Sequence, residues 1–422
     1  MQSELTESVQ QSIRPGEMVD TYYYGETNLE KQAYPCITNT RFVQQATNFG
    51  AGSSQFIISP NQGISDMVLE LVMPTIGTTT GFALPTGWGY SLVNRISVRY
   101  GSSAQYFWSG PQMLLENLYD AENSDKRDQI LALGGNNVTL AACSGAKAYL
   151  YLKLPHNSIR AEGKPLPFPS DLLVQPIVIT VELFAASTAF YLGTGSSIAN
   201  APSALANVQL QVKQEMLTDS SDLLARRVDM NTHAHTFPLM YFAQQEVQVA
   251  ATAFVTAVGA PQSVNLTGFR AGEVRSVLLW LTLNSDNGLT GGAVGNSGTI
   301  WYQPSNLTLT YNGEIFSRYD DTSAVLWALT GDTKTAQVNT TTLNASLAAT
   351  ASISPWVEMP FSQINIAYDK EMKLVHGKPI LNAVVNLQFN VPSNFSGAGI
   401  LHAMYIYNAS LLCSRGSAEY VF

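Results

Sequence analysis

Ile96-Ser97-Val98-Arg99-Tyr100-Gly101 is written a second time, in the same grammar, as Leu307-Thr308-Leu309-Thr310-Tyr311-Asn312-Gly313. The offset, 311 − 100 = 211, is half of the 422-residue chain. Alternate residues are apolar in both stretches, so Ile96, Val98 and Tyr100 share one face of a strand, as do Leu307, Leu309 and Tyr311. Each strand runs into residues that tolerate positive φ, Gly101 in one and Asn312-Gly313 in the other. Recurrence at half-length, rather than at the roughly 20–50 residues of a solenoid repeat, predicts two copies of a whole domain.

Outward from these strands, further landmarks recur in order. Ser109-Gly110-Pro111 opens a helix carrying Met113, Leu114 and Leu118, with Pro111 where its missing N–H costs nothing. Asp321-Thr322 opens its counterpart before Val325, Leu326 and Leu329. Gly163-Lys164-Pro165 returns as Gly377-Lys378-Pro379, and an apolar strand follows each, at 176–184 and 381–391. The first copy is expected to hold strands at 41–46, 55–59, 66–73, 90–100, 148–154, 176–184 and 208–216. The second is expected to hold them at 236–249, 262–266, 274–283, 300–311, 356–360, 383–391 and 400–410. Evenly sized strands without βαβ alternation predict an all-β chain of two tandem antiparallel sandwiches. Residues 1–35, with the Tyr22-Tyr23-Tyr24 cluster, read as an N-terminal arm, 36–217 as the first domain, 218–227 as a linker and 228–422 as the second domain. Segments 284–298, 331–352 and 185–205, rich in small and polar residues, read as loops projecting from one end of the molecule.

Composition narrows the function. Only 13% of residues are charged and the net charge is −9. No Lys/Arg block stands ready to neutralise phosphates, so extensive direct nucleic-acid binding is not expected. Cys36, Cys143 and Cys413 are too few and too far apart for a disulfide framework or a zinc site. The longest apolar stretch, Ile177 to Leu192, is broken by Glu182 and falls short of the roughly 20 residues of a spanning helix. Met1-Gln2-Ser3-Glu4 is polar where a secretory leader carries a basic and then an apolar region, so no leader is expected. The seven Asn-x-Ser/Thr sequons therefore carry little weight, and Asn306 and Asn408 fall on predicted strands where a glycan would be awkward.

Candidate chemistry is sparse. Gly193-Thr194-Gly195-Ser196 lacks the third glycine of a dinucleotide loop, and no His-Glu-x-x-His, Cys-x-x-Cys or Gly-x-Ser-x-Gly is present. His233 and His235 have the i, i+2 spacing of a metal pair on one strand face, yet no third ligand is near in sequence, and they read as a polar opening to a strand. Asp320-Asp321 reads as a helix cap rather than an acid/base pair, because carboxylates are stabilised at a helix N-terminus. Glu4, Glu7 and Glu17 read as a solvated face of the arm. Tyr90, Tyr106, Phe107 and Trp108, and Trp280, Trp301, Tyr302 and Trp327, read as core and interface aromatics rather than a sugar groove. No catalytic, cofactor-binding or metal-binding residue is expected.

Three stretches carry a family resemblance: Gly89 to Gly101 before a short helix, Tyr149-Leu150-Tyr151-Leu152-Lys153-Leu154-Pro155 before an apolar strand, and Met404-Tyr405-Ile406-Tyr407-Asn408-Ala409 with the tail Arg415-Gly416-Ser417-Ala418. In these the chain resembles the double jelly-roll major capsid proteins of double-stranded DNA viruses, the lineage of nucleocytoplasmic large DNA viruses, virophages and tailless membrane-containing phages. The resemblance covers most of residues 40–422. It implies two eight-stranded antiparallel jelly rolls with short helices in their loops, a protein that is not an enzyme, and a homotrimer forming the pseudo-hexagonal capsomer of an icosahedral shell. The implied partners are neighbouring capsomers and minor capsid and penton proteins, with an internal membrane also admitted and no sequence-specific nucleic-acid binding. The implied location is the virion capsid, after assembly inside the host cell. The rival reading is a tandem jelly-roll protein that binds or hydrolyses glycans, which would need exposed aromatics or two carboxylates about 5–10 Å apart across a cleft.

Overall fold

The computed structural model describes residues 36–42, 47–50, 52–60, 63–76, 83–84, 86–102, 104–121, 124–154, 168–170, 173–190, 201–216, 228, 232–249, 261–267, 273–283, 302–319, 356–360, 378–379, 384–391 and 398–421. The first half contributes β1 (Cys36–Phe42), β2 (Ser54–Ile58), β3 (Gly63–Val72), β4 (Ala83–Leu84), β5 (Val93–Tyr100) and β6 (Ala104–Trp108). It continues with β7 (Val138–Thr139), β8 (Lys147–Leu152), β9 (Phe168–Pro169), β10 (Ile177–Leu183) and β11 (Asn207–Met216). The second half contributes β12 (Ala234–Val249), β13 (Pro261–Leu266), β14 (Glu273–Leu283), β15 (Ser305–Tyr311) and β16 (Glu314–Tyr319). It closes with β17 (Val357–Pro360), β18 (Lys378–Pro379), β19 (Val385–Asn390), β20 (Gly399–Ser414) and β21 (Ser417–Val421). The helices are α1 (Trp88–Leu92), α2 (Gly110–Asp120), α3 (Ser124–Leu133) and α4 (Ala186–Ala189).

Strand order is the same in the two halves. The first stacks β1-β11-β3-β8 on β2-β10-β5-β6, and the second stacks β12-β20-β14-β17 on β13-β19-β15-β16. Two short strands also correspond, with β9 on β3 and β18 on β14. These are two tandem eight-stranded antiparallel jelly rolls, extended by the β4–β7 pair and by β21 on β20.

Register makes the correspondence residue by residue. Gly63 lies opposite Pro169 and Glu273 opposite Pro379, an offset of 273 − 63 = 210. A β-bulge sets aside Ser65 in β3 and Arg275 in β14, again 275 − 65 = 210. Pro379 therefore corresponds to Pro169, not to Pro165 as the repeated Gly-Lys-Pro suggests, and Gly163-Lys164-Pro165 itself lies outside the described residues.

The alternation that predicts the strands also packs them. Ile177, Ile179, Val181 and Leu183 point inward while the residues between them are half-buried. The β15–β16 hairpin turns on Asn312 and Gly313, at φ 50° and 86°, the left-handed pair whose twist suits a two-residue connection.

Several sequence expectations are corrected. The strand expected over 90–100 begins only at Val93, because Trp88–Leu92 form α1. That helix is wedged tightly, and a Cβ on Gly110 would run into the Tyr90 carbonyl. β6, β16, β21 and α3 are additional. β6 carries Tyr106-Phe107-Trp108 without alternation, and β16 is an edge strand that leaves Ile315 exposed. Strand lengths are uneven, since β12 and β20 are each 16 residues long and pair along their whole length. The arm, the linker at 218–227, the helix expected after Asp321, and segments 284–298 and 331–352 lie outside the described residues. No helix among the described residues is long and apolar enough to cross a membrane.

Candidate functional site at the junction of the two jelly rolls

Sequence reasoning nominates no site, and only some of its weak candidates fall among the described residues. His235 is buried on β12, whereas His233 precedes the strand with its Nδ1 3.0 Å from the Thr232 hydroxyl. Asp320 and Asp321 lie outside the described residues, as do Trp301 and Trp327. Among the described residues no three His, Cys, Asp or Glu side chains come together in a metal-holding group. Tyr90, Tyr106, Trp108 and Trp280 are buried, and Arg95 stacks over Phe107 at 3.9 Å. These rings are committed to packing rather than to an open groove.

What the fold does build is an internal joint. Helix α2 starts where the sequence predicts: the Ser109 hydroxyl accepts from Gln112 N at 3.2 Å and Pro111 occupies the first turn. Leu115, Leu118 and Tyr119, spaced i, i+3, i+4, form one stripe of this helix. Together with Leu131 of α3 they pack against Phe242, Leu278, Trp280, Trp356, Met404 and Ile406 of the second jelly roll. Period-two alternation in β14 explains how one strand serves two cores. Val277, Leu279 and Leu281 face their own sandwich, while Leu278 and Trp280 face the helices.

Two buried carboxylates sit within this joint. The Glu116 carboxylate accepts from the Tyr106 hydroxyl at 2.8 Å, the Trp108 indole N–H at 2.8 Å and the Gln112 amide at 2.9 Å. Glu358, from the second jelly roll, accepts from the Tyr119 hydroxyl of the first at 2.9 Å and from Ser276 at 2.6 Å. Tyr106 also accepts from Phe242 N at 3.2 Å, and the Phe242 carbonyl accepts from Gln112 at 3.3 Å. The Lys153 ammonium donates to the Glu116 backbone carbonyl at 3.0 Å, pairs with Asp120 and lies 5.2 Å from the Phe242 ring centre. Burial pushes the Glu116 carboxyl up to about 7, against the opposing pull of Lys153 and the three donors. Burial, with Glu358 beside it, holds the Tyr119 hydroxyl well above the usual tyrosine range.

A second contact comes from the chain's last hairpin. Val174 N donates to the Gly416 carbonyl at 3.1 Å. Tyr420 of β21 packs against Tyr241 at 5.6 Å and Tyr106 at 6.2 Å between ring centres. Gly416 takes φ 78°, and a Cβ there would collide with the Val174 side chain.

Glu116 and Glu358 escaped the sequence reading. Their only sequence signals are a Gln112–Glu116 pair one turn apart on the helix, and a lone acid within Trp356-Val357-Glu358-Met359. Among the described residues the arrangement encloses its polar groups in hydrogen bonds within and between the two jelly rolls. Its chemistry is cohesion between two domains.

By sequence, no protein-family model and no curated protein matches the chain. By structure the likeness extends over nearly the full length. A PBCV-1 virus capsid structure is similar at TM-score 0.63 and 12% identity, covering 92% of this chain and 97% of that one. PBCV-1 VP54, fitted into a reconstruction of the virophage Sputnik, is similar at TM-score 0.62 and 13% identity, with the same 92% and 97% coverage. The mavirus major capsid protein is similar at TM-score 0.50 and 9% identity, covering 91% of this chain and 90% of that one. The fold is therefore the double jelly roll of viral major capsid proteins.

Proposed function

We propose that this chain is a major capsid protein, three copies of which form a pseudo-hexagonal capsomer that tiles an icosahedral shell. The observation that carries the reading is the repetition of one strand order, with a matching bulge in β3 and β14, in two sandwiches locked together by a buried joint. Two similar sandwiches per chain, taken three times about an axis, present six roughly equivalent sides, so one gene product can meet six neighbours. A shell unit works by surface complementarity, which accords with a protein that is not an enzyme and has no catalytic, cofactor or metal site.

In this reading residues 36–217 and 228–422 are the two jelly rolls, joined by a linker at 218–227. The arm, residues 1–35, lies on the inner side, where its tyrosines contact a neighbouring capsomer, a minor protein or an internal membrane. Segments 284–298 and 331–352 lie on the exterior. What supports this is that β14 and β16 both end, and β15 and β17 both begin, at the same end of the second sandwich. The remaining partners are penton proteins, and the location is the virion capsid, assembled inside the host cell.

Size-exclusion chromatography with light scattering on the full chain tests the reading. The expected mass is three times the 45.7 kDa chain. A monomer at micromolar concentration in physiological salt would overturn it.

A further inference from the structure

Glu116 lies where one proton decides how many hydrogen bonds cross the joint. The Tyr106 hydroxyl oxygen is 2.8 Å from Glu116 Oε1, 3.2 Å from Phe242 N and 3.4 Å from the Phe242 carbonyl. Tyr106 has a single proton to donate. When Glu116 is ionised, that proton goes to the carboxylate, because charge-assisted bonds are the stronger ones. The Phe242 carbonyl is then left with Gln112 at 3.3 Å. When Glu116 is protonated, its own O–H can donate to the Tyr106 oxygen, and the tyrosine proton is free to turn to the Phe242 carbonyl. The peptide unit it gains belongs to the other jelly roll.

We propose that Glu116 is a protonation latch between the two jelly rolls: with a proton it completes the Tyr106 bridge to Phe242, and on releasing that proton to solvent it reclaims the hydroxyl and loosens the joint. Among the described residues, the charged and titratable groups around it are Tyr106 on β6 with Tyr241 of β12 packed on its ring, Tyr420 on β21, Lys153 after β8, and Asp120 one turn further along α2. Burial holds Tyr106 and Tyr420 well above the usual tyrosine range. Glu116, raised by burial to about 7, is the group in this set placed to change charge near neutrality. A carboxyl raised on folding contributes stability that is complete below its unfolded value of 4.5 and is lost as pH rises through about 7.

The test is denaturant unfolding of the full chain from about pH 5 to about pH 8.5, for the natural sequence and for Glu116→Gln, which stays neutral in nearly the same shape. In the natural chain the unfolding constant should rise on the order of 100-fold more across this window than in Glu116→Gln. Equal pH slopes would overturn the latch. Should Glu116→Gln fail to fold, infrared difference spectra of the natural chain decide instead. A buried protonated-carboxyl band that titrates away across the window, and is unchanged in position by other carboxyl variants, supports the latch. A spectrum with no such band overturns it. Hydrogen exchange at Phe242 N–H, corrected for intrinsic base catalysis, should accelerate over the same window, and a constant corrected rate counts against the proposal.

Discussion

β3 and β14 occupy the same place in their jelly rolls and diverge on one face only. Their inward residues correspond as Met67 with Val277, Leu69 with Leu279 and Leu71 with Leu281, all fully buried. Their outward residues correspond as Asp66 with Ser276, Val68 with Leu278, Glu70 with Trp280 and Val72 with Thr282. The strand beside each repeats the contrast, with Lys213, Gln211 and Gln209 on β11 where β20 has Ile406, Met404 and His402. In the second jelly roll α2 and α3 cover this outer face and turn it into another core. In the first, Asp66, Val68 and Val72 are half-buried, and Glu70 is buried against Lys147 and Gln211. One fold thus carries two surfaces, and helices from one copy decide what its twin must present.

Truncation of the covered face should produce the largest effect. Trp280→Ala is expected to cost about 3–5 kcal/mol in guanidinium unfolding, the range for deleting a large buried side chain. Val68→Ala, on the corresponding face of β3, should cost about 1 kcal/mol or less. Similar losses at the two positions would break the comparison. Tyr119→Phe should cost roughly 1–2 kcal/mol, because it removes the donor that the first jelly roll extends to buried Glu358. A loss in Tyr119→Phe that persists when Glu358 is replaced by Leu, which offers no acceptor, would show that the hydroxyl acts elsewhere. The smallest effect sharpens the other side: Lys147→Ala breaks an ion pair to Glu70 whose lysine is 53% exposed, so the change should stay within about 1 kcal/mol. A larger loss, read from the same unfolding curves, would mean that the outer face of β3 is closer to a core than its polar residues suggest.

Most inner faces were legible before any coordinates, since period-two alternation survives wherever a strand has one wet side. Ile177, Ile179, Val181 and Leu183 illustrate it. Legibility failed where both sides are dry. The run Val277 to Leu281 is apolar throughout, and nothing in it separates the residues facing their own sandwich from those facing α2. It failed again at α1, where Trp88, Tyr90 and Leu92 alternate like a strand, yet the segment is helical and packs so closely on Gly110 that no Cβ fits there.

The sequence by itself determined the duplicated strand pattern, the antiparallel sandwich class and the capped start of α2, because each depends on local spacing or composition. Only the tertiary structure decided that Glu116 and Tyr106 of one half meet Phe242 of the other, that Glu358 is satisfied by Tyr119, and that the last hairpin reaches back to Val174. Partners so far apart in the chain leave no periodic trace. A buried carboxylate is tolerable only once donors converge on it, and which donors converge is a property of how two finished domains are pressed together.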